Sequence, residues 1–246
     1  MERKKGLRDM VVVAILLLAS IFLFEKCKEY IYAVTNLSYH VQGEFDLPLL
    51  TWQHITMSFW SCLLSIIIGM VLGIFSLTRL GSEFRPIIEK MVAASQALPT
   101  IGLLAILIPI LGFGLLPGII VLVICGTMPI VFSTITGIEN VPEQMIEIGK
   151  GLGMTKGEVL LKIQLPLAFP VILSGLRTSS IIIIGSATLT AITGAGGLGL
   201  PIFRAGFRGF DPIMLIEGAI PVTLLAMLVD KVFAYCEIRF KTRFEG

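Results

Sequence analysis

Long apolar stretches alternate with short polar segments along the whole chain. Six such stretches cover about residues 10–24, 54–78, 91–112, 115–137, 167–193 and 214–236. A helix needs about 20 mostly apolar residues to cross a hydrocarbon core about 30 Å thick. Each stretch is long enough, or nearly so, to do this. The pattern therefore predicts an all-α membrane protein with about six transmembrane helices.

The first apolar stretch is the shortest and has two interpretations. Its 15 residues match the length of the hydrophobic part of a signal peptide. However, no small-residue cleavage site follows Phe24, and the charged segment 25–28 comes directly after it. We therefore expect an uncleaved anchor helix, so that residues 1–49 form this helix and an outer segment.

Prolines are concentrated in the third and fourth apolar stretches, at Pro99, Pro109, Pro117 and Pro129. Proline is tolerated in a membrane helix only where other helices or water satisfy the backbone groups that it leaves unpaired. These two stretches are therefore predicted to form bent or broken helices inside a bundle.

Composition and charge agree with a membrane protein and give it an orientation. Hydrophobic residues make up 55% of the chain, charged residues 15%, and the mean hydropathy is +0.93. The net charge of +2 is too small to indicate nucleic-acid binding. With the N-terminus inside, 14 of the 19 Lys and Arg residues lie in cytoplasmic segments and 4 in outer ones. This bias follows the positive-inside rule and predicts that both termini are cytoplasmic.

Aromatic residues gather in the first outer segment, which contains Tyr30, Tyr32, Tyr39 and Trp52. Tyrosine and tryptophan are enriched at membrane interfaces, so an aromatic belt is one interpretation. An aromatic cage for a quaternary ammonium ligand is the other. We expect the belt.

A polar island at residues 139–166 separates two of the apolar stretches. Pro142 lies near a helix start, and Gly153 suits a left-handed turn at the end of that helix. Thr155 and Glu158 have capping-box spacing for a second helix. These residues predict two short helices joined by a turn.

The first of these helices is predicted to be amphipathic, with apolar and charged side chains on different faces. The apolar face comprises Met145, Ile148 and Leu152. The charged face comprises Glu143, Glu147 and Lys150. A helix lying on the membrane surface and a helix that docks on another protein both fit this pattern.

The island resembles the signature of the membrane subunits of ATP-binding-cassette importers, which begins with Glu-Ala-Ala. Glu147 matches its first position, and Ile148 and Gly149 replace the two alanines. The later positions are matched by Gly153, Ile163, Leu165 and Pro166. Further matching motifs occupy residues 96–100, 107–112, 175–178 and 193–199. Together they resemble permeases that import osmoprotectants such as glycine betaine, carnitine and choline, over about residues 50–240.

The resemblance implies a methionine-permease-like type I importer fold for residues 50–246, in a bacterial inner membrane. It implies two ATPase subunits, which bind ATP and Mg²⁺ and dock on residues 139–166. It also implies a second permease copy or homologue and an extracytoplasmic solute-binding protein. The residues expected to couple to the ATPase are Glu143, Glu147, Gly149, Lys150, Gly153, Leu165 and Pro166.

Several alternatives stay open. The solute could be methionine, another amino acid or an ergothioneine-like betaine, and an ATP-independent channel or scaffold is a further class. The chain is expected to hold no cofactor, metal or catalytic site of its own. His40 and His54 lie 14 residues apart, and the four cysteines have no metal-ligand spacing.

The remaining candidates concern the pathway of the solute. The glycine run at residues 194–199 lacks the lysine of a phosphate-binding loop, so we expect it to pack or hinge near an outer gate. Arg177 and Glu217 lie at similar estimated depths, and we expect them to pair, because intramembrane charges are usually paired. The full set of pathway candidates is Pro99, Arg177, Gly194, Gly196, Gly197, Gly199 and Glu217.

Overall fold

The computed structural model describes residues 2–35, 45–207 and 211–244, and all regular structure in these residues is helical. The α-helices are α1 (Glu2–Thr35), α2 (Leu47–Ser76), α3 (Gly81–Ala97), α4 (Thr100–Leu111), α5 (Leu115–Glu139), α6 (Glu143–Gly151), α7 (Lys156–Val159), α8 (Leu165–Ser186), α9 (Gly199–Phe207) and α10 (Pro212–Phe244). A π-helical turn, Leu160–Gln164, joins α7 to α8, and a 3₁₀ helix, Leu189–Thr193, follows α8.

Within the described residues, five helices are long and apolar enough to cross a membrane. They are Gly6–Phe24, Leu47–Ser76, Leu115–Glu139, Lys156–Ser186 and Pro212–Arg239. The all-helical membrane fold predicted from the sequence is therefore confirmed.

The predicted third span, 91–112, is not one continuous helix. Helix α3 ends at Ala97, Leu98 is extended with ψ 123°, and α4 begins at Thr100. A residue that precedes proline is disfavoured in the helical region, so Leu98 leaves the helix before Pro99. Helix α4 has only 12 residues, or about 18 Å at 1.5 Å per residue, which is too short to cross a bilayer alone.

The span predicted at 167–193 also has different limits. Its helix begins at Lys156 and ends at Ser186, so the second short helix of the polar island is continuous with the membrane span. Pro166 does not break it, because the π turn comes directly before and the Leu165 N–H bonds to the Leu160 carbonyl. In a π turn the hydrogen bonds join residues further apart than in an α-helix. The helix can therefore continue although Pro166 has no N–H to donate.

Helices α2, α5 and α8 form the centre of the bundle and approach closely through small residues of α2. A Cβ atom on Gly69 would lie 2.7 Å from Ile130 Cβ, and one on Gly73 would lie 2.7 Å from Thr134 Cβ. Ser65 Oγ donates to the Val123 carbonyl at 3.2 Å. Small residues permit such close packing in membranes, where there is no hydrophobic force between helices.

Helix α1 packs on the outside of this centre, along α10. Leu17 and Ile21 are buried in a cluster that includes Val222 and Leu225 of α10. The first predicted span is thus attached to the bundle through its last helix.

Candidate functional site: the α6–α7 loop and the pathway residues

The predicted turn at Gly153 is present. Helix α6 ends at Gly151, and Gly153 has φ 80°. The Gly153 N–H donates to the Lys150 carbonyl at 3.0 Å, and the Met154 N–H donates to the Gly149 carbonyl at 3.1 Å. These bonds use carbonyls that the helix end leaves unpaired. Glycine suits the turn, because a positive φ strains residues that have a Cβ.

The capping box at the start of α7 is also present. Thr155 Oγ1 accepts from the Glu158 N–H at 3.3 Å, and Glu158 Oε2 accepts from the Thr155 N–H at 3.0 Å. Lys162 Nζ lies 2.8 Å from Glu158 Oε1. We call residues 143–159 the α6–α7 loop. Local hydrogen bonds determine both the turn at Gly153 and the start of α7.

The apolar face of α6 is exposed. Met145 is 42% exposed, Ile148 58% and Leu152 76%. The polar segment between two membrane-spanning helices therefore presents an exposed apolar surface. Glu143, Glu147 and Lys150 are exposed as well, on the opposite side of α6.

Gly149 is buried and faces the protein. A Cβ atom there would lie 2.5 Å from Ile163 Cδ1 and 3.3 Å from Val159 Cγ2. The glycine that replaces the second alanine of the signature therefore lets α6 pack tightly on the π turn. The remaining two coupling candidates, Leu165 and Pro166, lie at the start of α8 and are half-buried.

An ion pair at the start of the loop was not predicted from the sequence. Arg85 of α3 makes two hydrogen bonds with the carboxylate of Glu139, the last residue of α5, one of them from Nη2 to Oε2 at 3.0 Å. Arg85 Nε also donates to Glu89 Oε1 at 2.7 Å. The bonds to Glu139 and then to Glu89 raise the pKa of Arg85. Only the Glu89 contact has a local sequence signal, its i,i+4 spacing.

The predicted pairing of Arg177 with Glu217 is wrong. Arg177 Nε donates to Asp230 Oδ1 at 2.6 Å, and Nη1 lies 3.5 Å from Glu237 Oε2. Asp230 lies 13 residues beyond Glu217, about 20 Å further along α10. The estimate counted Arg177 from Pro166, whereas its helix begins at Lys156. Depth also does not show which faces of two helices meet, and Arg177 meets the face of α10 that carries Asp230 and Glu237. Glu217 is buried, with 4% exposed.

The glycine segment, residues 194–199, is packed against α2 and the turn between α4 and α5. Gly194, Gly196 and Gly197 have φ between 78° and 80°. The Gly197 N–H donates to Gln53 Oε1 at 3.1 Å. A Cβ atom on Gly199 would overlap the carbonyl oxygen of Thr188. Backbone conformation or lack of space thus requires glycine at each of these four positions.

Two more contacts hold this region together. The Gly114 N–H donates to the Thr193 carbonyl at 2.7 Å, and Thr193 Oγ1 donates to the Gly114 carbonyl at 2.8 Å. The buried imidazole of His54 lies beside Gly197, with Nε2 3.1 Å from the Ile184 carbonyl. Pro99, the remaining pathway candidate, is exposed at the break between α3 and α4. Among the described residues, no three His, Cys, Asp or Glu side chains form a metal site.

Comparison with known proteins gives the family. Residues 65–242 match the binding-protein-dependent transport system inner membrane component family, and the chain belongs to it. The chain is 43% identical over 192 residues to the choline transport system permease protein OpuBB of Bacillus subtilis, covering 78% of this chain and 87% of that protein. It is 41% identical, with the same coverage, to the glycine betaine/carnitine/choline transport system permease protein OpuCB of Bacillus subtilis. The chain is thus a permease component of an ABC importer with osmoprotectant-type homologues.

A solved structure supports the fold. The chain is similar to the permease fold in an inward-facing conformation of the MetNI methionine ABC transporter. The TM-score is 0.69 at 22% identity, over 77% of this chain and 93% of that chain. The methionine-permease-like importer fold predicted from the sequence is therefore confirmed.

Proposed function

We propose that the chain is the membrane permease of an ATP-driven importer for quaternary ammonium osmoprotectants such as choline, glycine betaine and carnitine. The single observation that carries the ATP-driven part is the exposed apolar face of α6, formed by Met145, Ile148 and Leu152. The names of the relatives, at 43% and 41% identity, support the solute class.

The apolar face of α6 is the docking surface for a separate ATPase subunit, which holds ATP and Mg²⁺. Buried apolar anchors bordered by polar residues supply most of the binding energy at such interfaces. Glu143, Glu147 and Lys150, exposed on the opposite side of the same helix, give it charges that restrict the partners that it accepts.

Motion of α6 reaches the membrane through two connections. The tight contact of Gly149 with Ile163 links α6 to the helix that runs from Lys156 to Ser186. The bonds of Arg85 to Glu139 link the end of α5, just before the loop, to α3. Closure of an ATPase pair therefore moves α8 and α3 together, and this drives alternating access of the pathway.

The complete importer contains two ATPase subunits, a second permease copy or a homologous permease, and an extracytoplasmic solute-binding protein. The chain lies in the bacterial cytoplasmic membrane with both termini in the cytoplasm, as the excess of basic residues on that side favours. In this orientation the α6–α7 loop faces the ATPase and the glycine segment faces the binding protein.

Uptake by the reconstituted importer tests this proposal. The chain, its ATPase and its binding protein are placed in proteoliposomes, and uptake of labelled choline, glycine betaine, carnitine, methionine and ergothioneine is measured with and without internal ATP. We expect uptake of at least one of the first three solutes only with ATP. Uptake without ATP would indicate a channel. Uptake of only methionine or ergothioneine would show that the proposed solute class is wrong.

A further inference from the structure

Both tryptophans of the chain line a single cavity near the glycine segment. The chain has two tryptophans, Trp52 and Trp60, and both border a cavity of about 360 Å³ between α2, the start of α5 and Gly194. Ligand sites commonly have volumes of about 300–1,000 Å³. The cavity is therefore large enough to take a small solute.

A position in an aromatic belt explains Trp52 but does not explain Trp60. Helix α2 has 30 residues, and Trp60 lies within two residues of its middle. Its length of about 45 Å exceeds a hydrocarbon core of about 30 Å, so a centred α2 places Trp60 near the middle of the membrane. Trp52 lies about 12 Å away along the helix, at the level of the outer interface. Belts form at interfaces, so Trp60 needs another explanation.

The Trp60 side chain has a polar group that no neighbour uses. Among the described residues no hydrogen bond to its indole N–H is present, and 52% of the residue is exposed. The hydrocarbon core of a membrane offers no hydrogen-bond partner to an exposed indole N–H. Trp60 shares the cavity wall with Gln53 and Thr56, so the wall combines aromatic faces with polar groups.

Gln53 is oriented by the glycine segment. Its Oε1 accepts from the Gly197 N–H at 3.1 Å, and a Cβ atom on Gly196 would overlap that oxygen. The same glycines that pack against α2 therefore hold one polar wall of the cavity. Thr56 Oγ1 is bonded to the Trp52 carbonyl at 2.7 Å. The polar wall is thus fixed before any solute arrives.

We infer that this cavity is a transient binding site in the permease for the quaternary ammonium group of the solute. The indole rings of Trp52 and Trp60, which line the cavity, carry partial negative charge on their faces, and a trimethylammonium group is recognised by such rings. The lining contains no charged side chain. The attraction is therefore weak enough for the solute to leave, as a transport site requires.

The inference rests on the proposed function, since it takes its solute class from there. It adds a site within the permease itself, whereas the binding protein only delivers the solute. Phe132 provides the control, because Phe59 is in edge-to-face contact with Trp60, with ring centroids 5.6 Å apart. Phe132 is 39% exposed and borders a different cavity between α5 and α8.

Tryptophan fluorescence tests the site directly, because both reporters lie in the cavity. The full chain in lipid nanodiscs is titrated with choline and with 3,3-dimethyl-1-butanol, which has the same shape but no charge. We expect a saturable change of emission with choline and a much smaller one with the alcohol. Equal responses to the two compounds, or no response to choline, would overturn the inference.

Transport by variants separates this inference from the proposed function. In the complete importer, we expect Trp60→Leu to raise the KM for choline about tenfold, Trp60→Phe to raise it less, and Phe132→Leu to leave it unchanged. An unchanged KM in Trp60→Leu, with normal wild-type uptake, contradicts the site alone. If the wild-type importer carries no quaternary ammonium solute, the proposed function is contradicted, and the cavity then has no quaternary ammonium ligand either.

Discussion

The α6–α7 loop and the glycine segment both depend on glycines, but Gly153 of the loop and Gly199 of the segment serve different purposes. In the loop, Gly153 turns the chain where a Cβ would meet nothing within 4 Å, and the apolar face of α6 stays exposed. In the glycine segment, Gly197 and Gly199 are buried against α2 and Thr188. The loop exposes an apolar surface, whereas Gly197 and Gly199 allow close packing against neighbouring residues.

This difference separates two kinds of damage that a substitution can cause. A change on the loop surface should leave the folded permease intact and remove a partner. A change in the glycine segment should prevent the helices from packing. Stability of the purified permease and its association with the ATPase therefore report on different regions.

The largest effect on stability is expected from Gly199→Ala. The added Cβ overlaps the Thr188 carbonyl, a backbone atom that cannot rotate away, so we expect a loss of about 3 kcal/mol. Thermal unfolding of the purified permease measures it. The control is Gly206→Ala in the same helix, where the new Cβ meets nothing within 4 Å. Equal melting temperatures for the two variants would refute close packing at Gly199.

The largest effect on partner binding is expected from Ile148→Glu, which places a charge in the exposed apolar face of α6. A central contact of this kind is worth at least about 2 kcal/mol, so association with the ATPase should weaken about thirtyfold or more. The melting temperature should not change. Leu80→Glu, at another exposed apolar position (77%), is the control. Equal loss of ATPase binding in both variants would show that the α6 face is not specific.

An intermediate effect is expected at the Arg177 ion pair. Replacing Arg177 and Asp230 by alanine, singly and together, should give a double variant about 1–2 kcal/mol more stable than the sum of the single changes. In the double variant neither member of the Arg177–Asp230 pair is left without the other. The contact of Arg177 with Glu237 is lost in both variants that lack Arg177, so its loss cancels in the comparison. Arg177→Ala combined with Glu217→Ala should be additive within about 0.5 kcal/mol. If the effect of Arg177→Ala were non-additive with Glu217→Ala and additive with Asp230→Ala, the observed pairing would be contradicted.

The smallest effect is expected from Gly153→Ala. The new Cβ has space, so only the strain of φ 80° remains, and this costs about 1–2 kcal/mol locally. Hydrogen exchange of the amides in α6 should become faster. Gly151→Ala, a helical glycine with open space around it, should leave exchange unchanged or slow it. Slower exchange in Gly153→Ala would contradict the left-handed turn.

Features set by neighbouring residues could be predicted from the sequence, and features set by distant ones could not. The turn at Gly153 and the capping box of Thr155 and Glu158 depend on residues within a few positions of each other. The partners of Arg177 lie 53 and 60 residues away, and no local pattern indicates them. Arg85 and Glu139 are 54 residues apart, and no local pattern indicates their bonds either.

The prolines illustrate the limit of pattern alone. Pro99 was expected in a bent or broken helix, and the helix does break there, but the apolar pattern of 91–112 continues across the break. The hydropathy pattern shows which residues are apolar enough to lie in lipid, but it does not show where a helix ends. Here the helix ends because the residue before a proline is disfavoured in the helical conformation. The length of that span was therefore overestimated.

The central claim is that the exposed face of α6 lies in the cytoplasm and is covered by the ATPase. Its most direct test is Ile148→Cys in a chain from which the four native cysteines have been removed. An impermeant maleimide should label this cysteine in inside-out vesicles but not in right-side-out ones, and bound ATPase should protect it. Labelling in right-side-out vesicles, or equal labelling with and without the ATPase, would contradict the account.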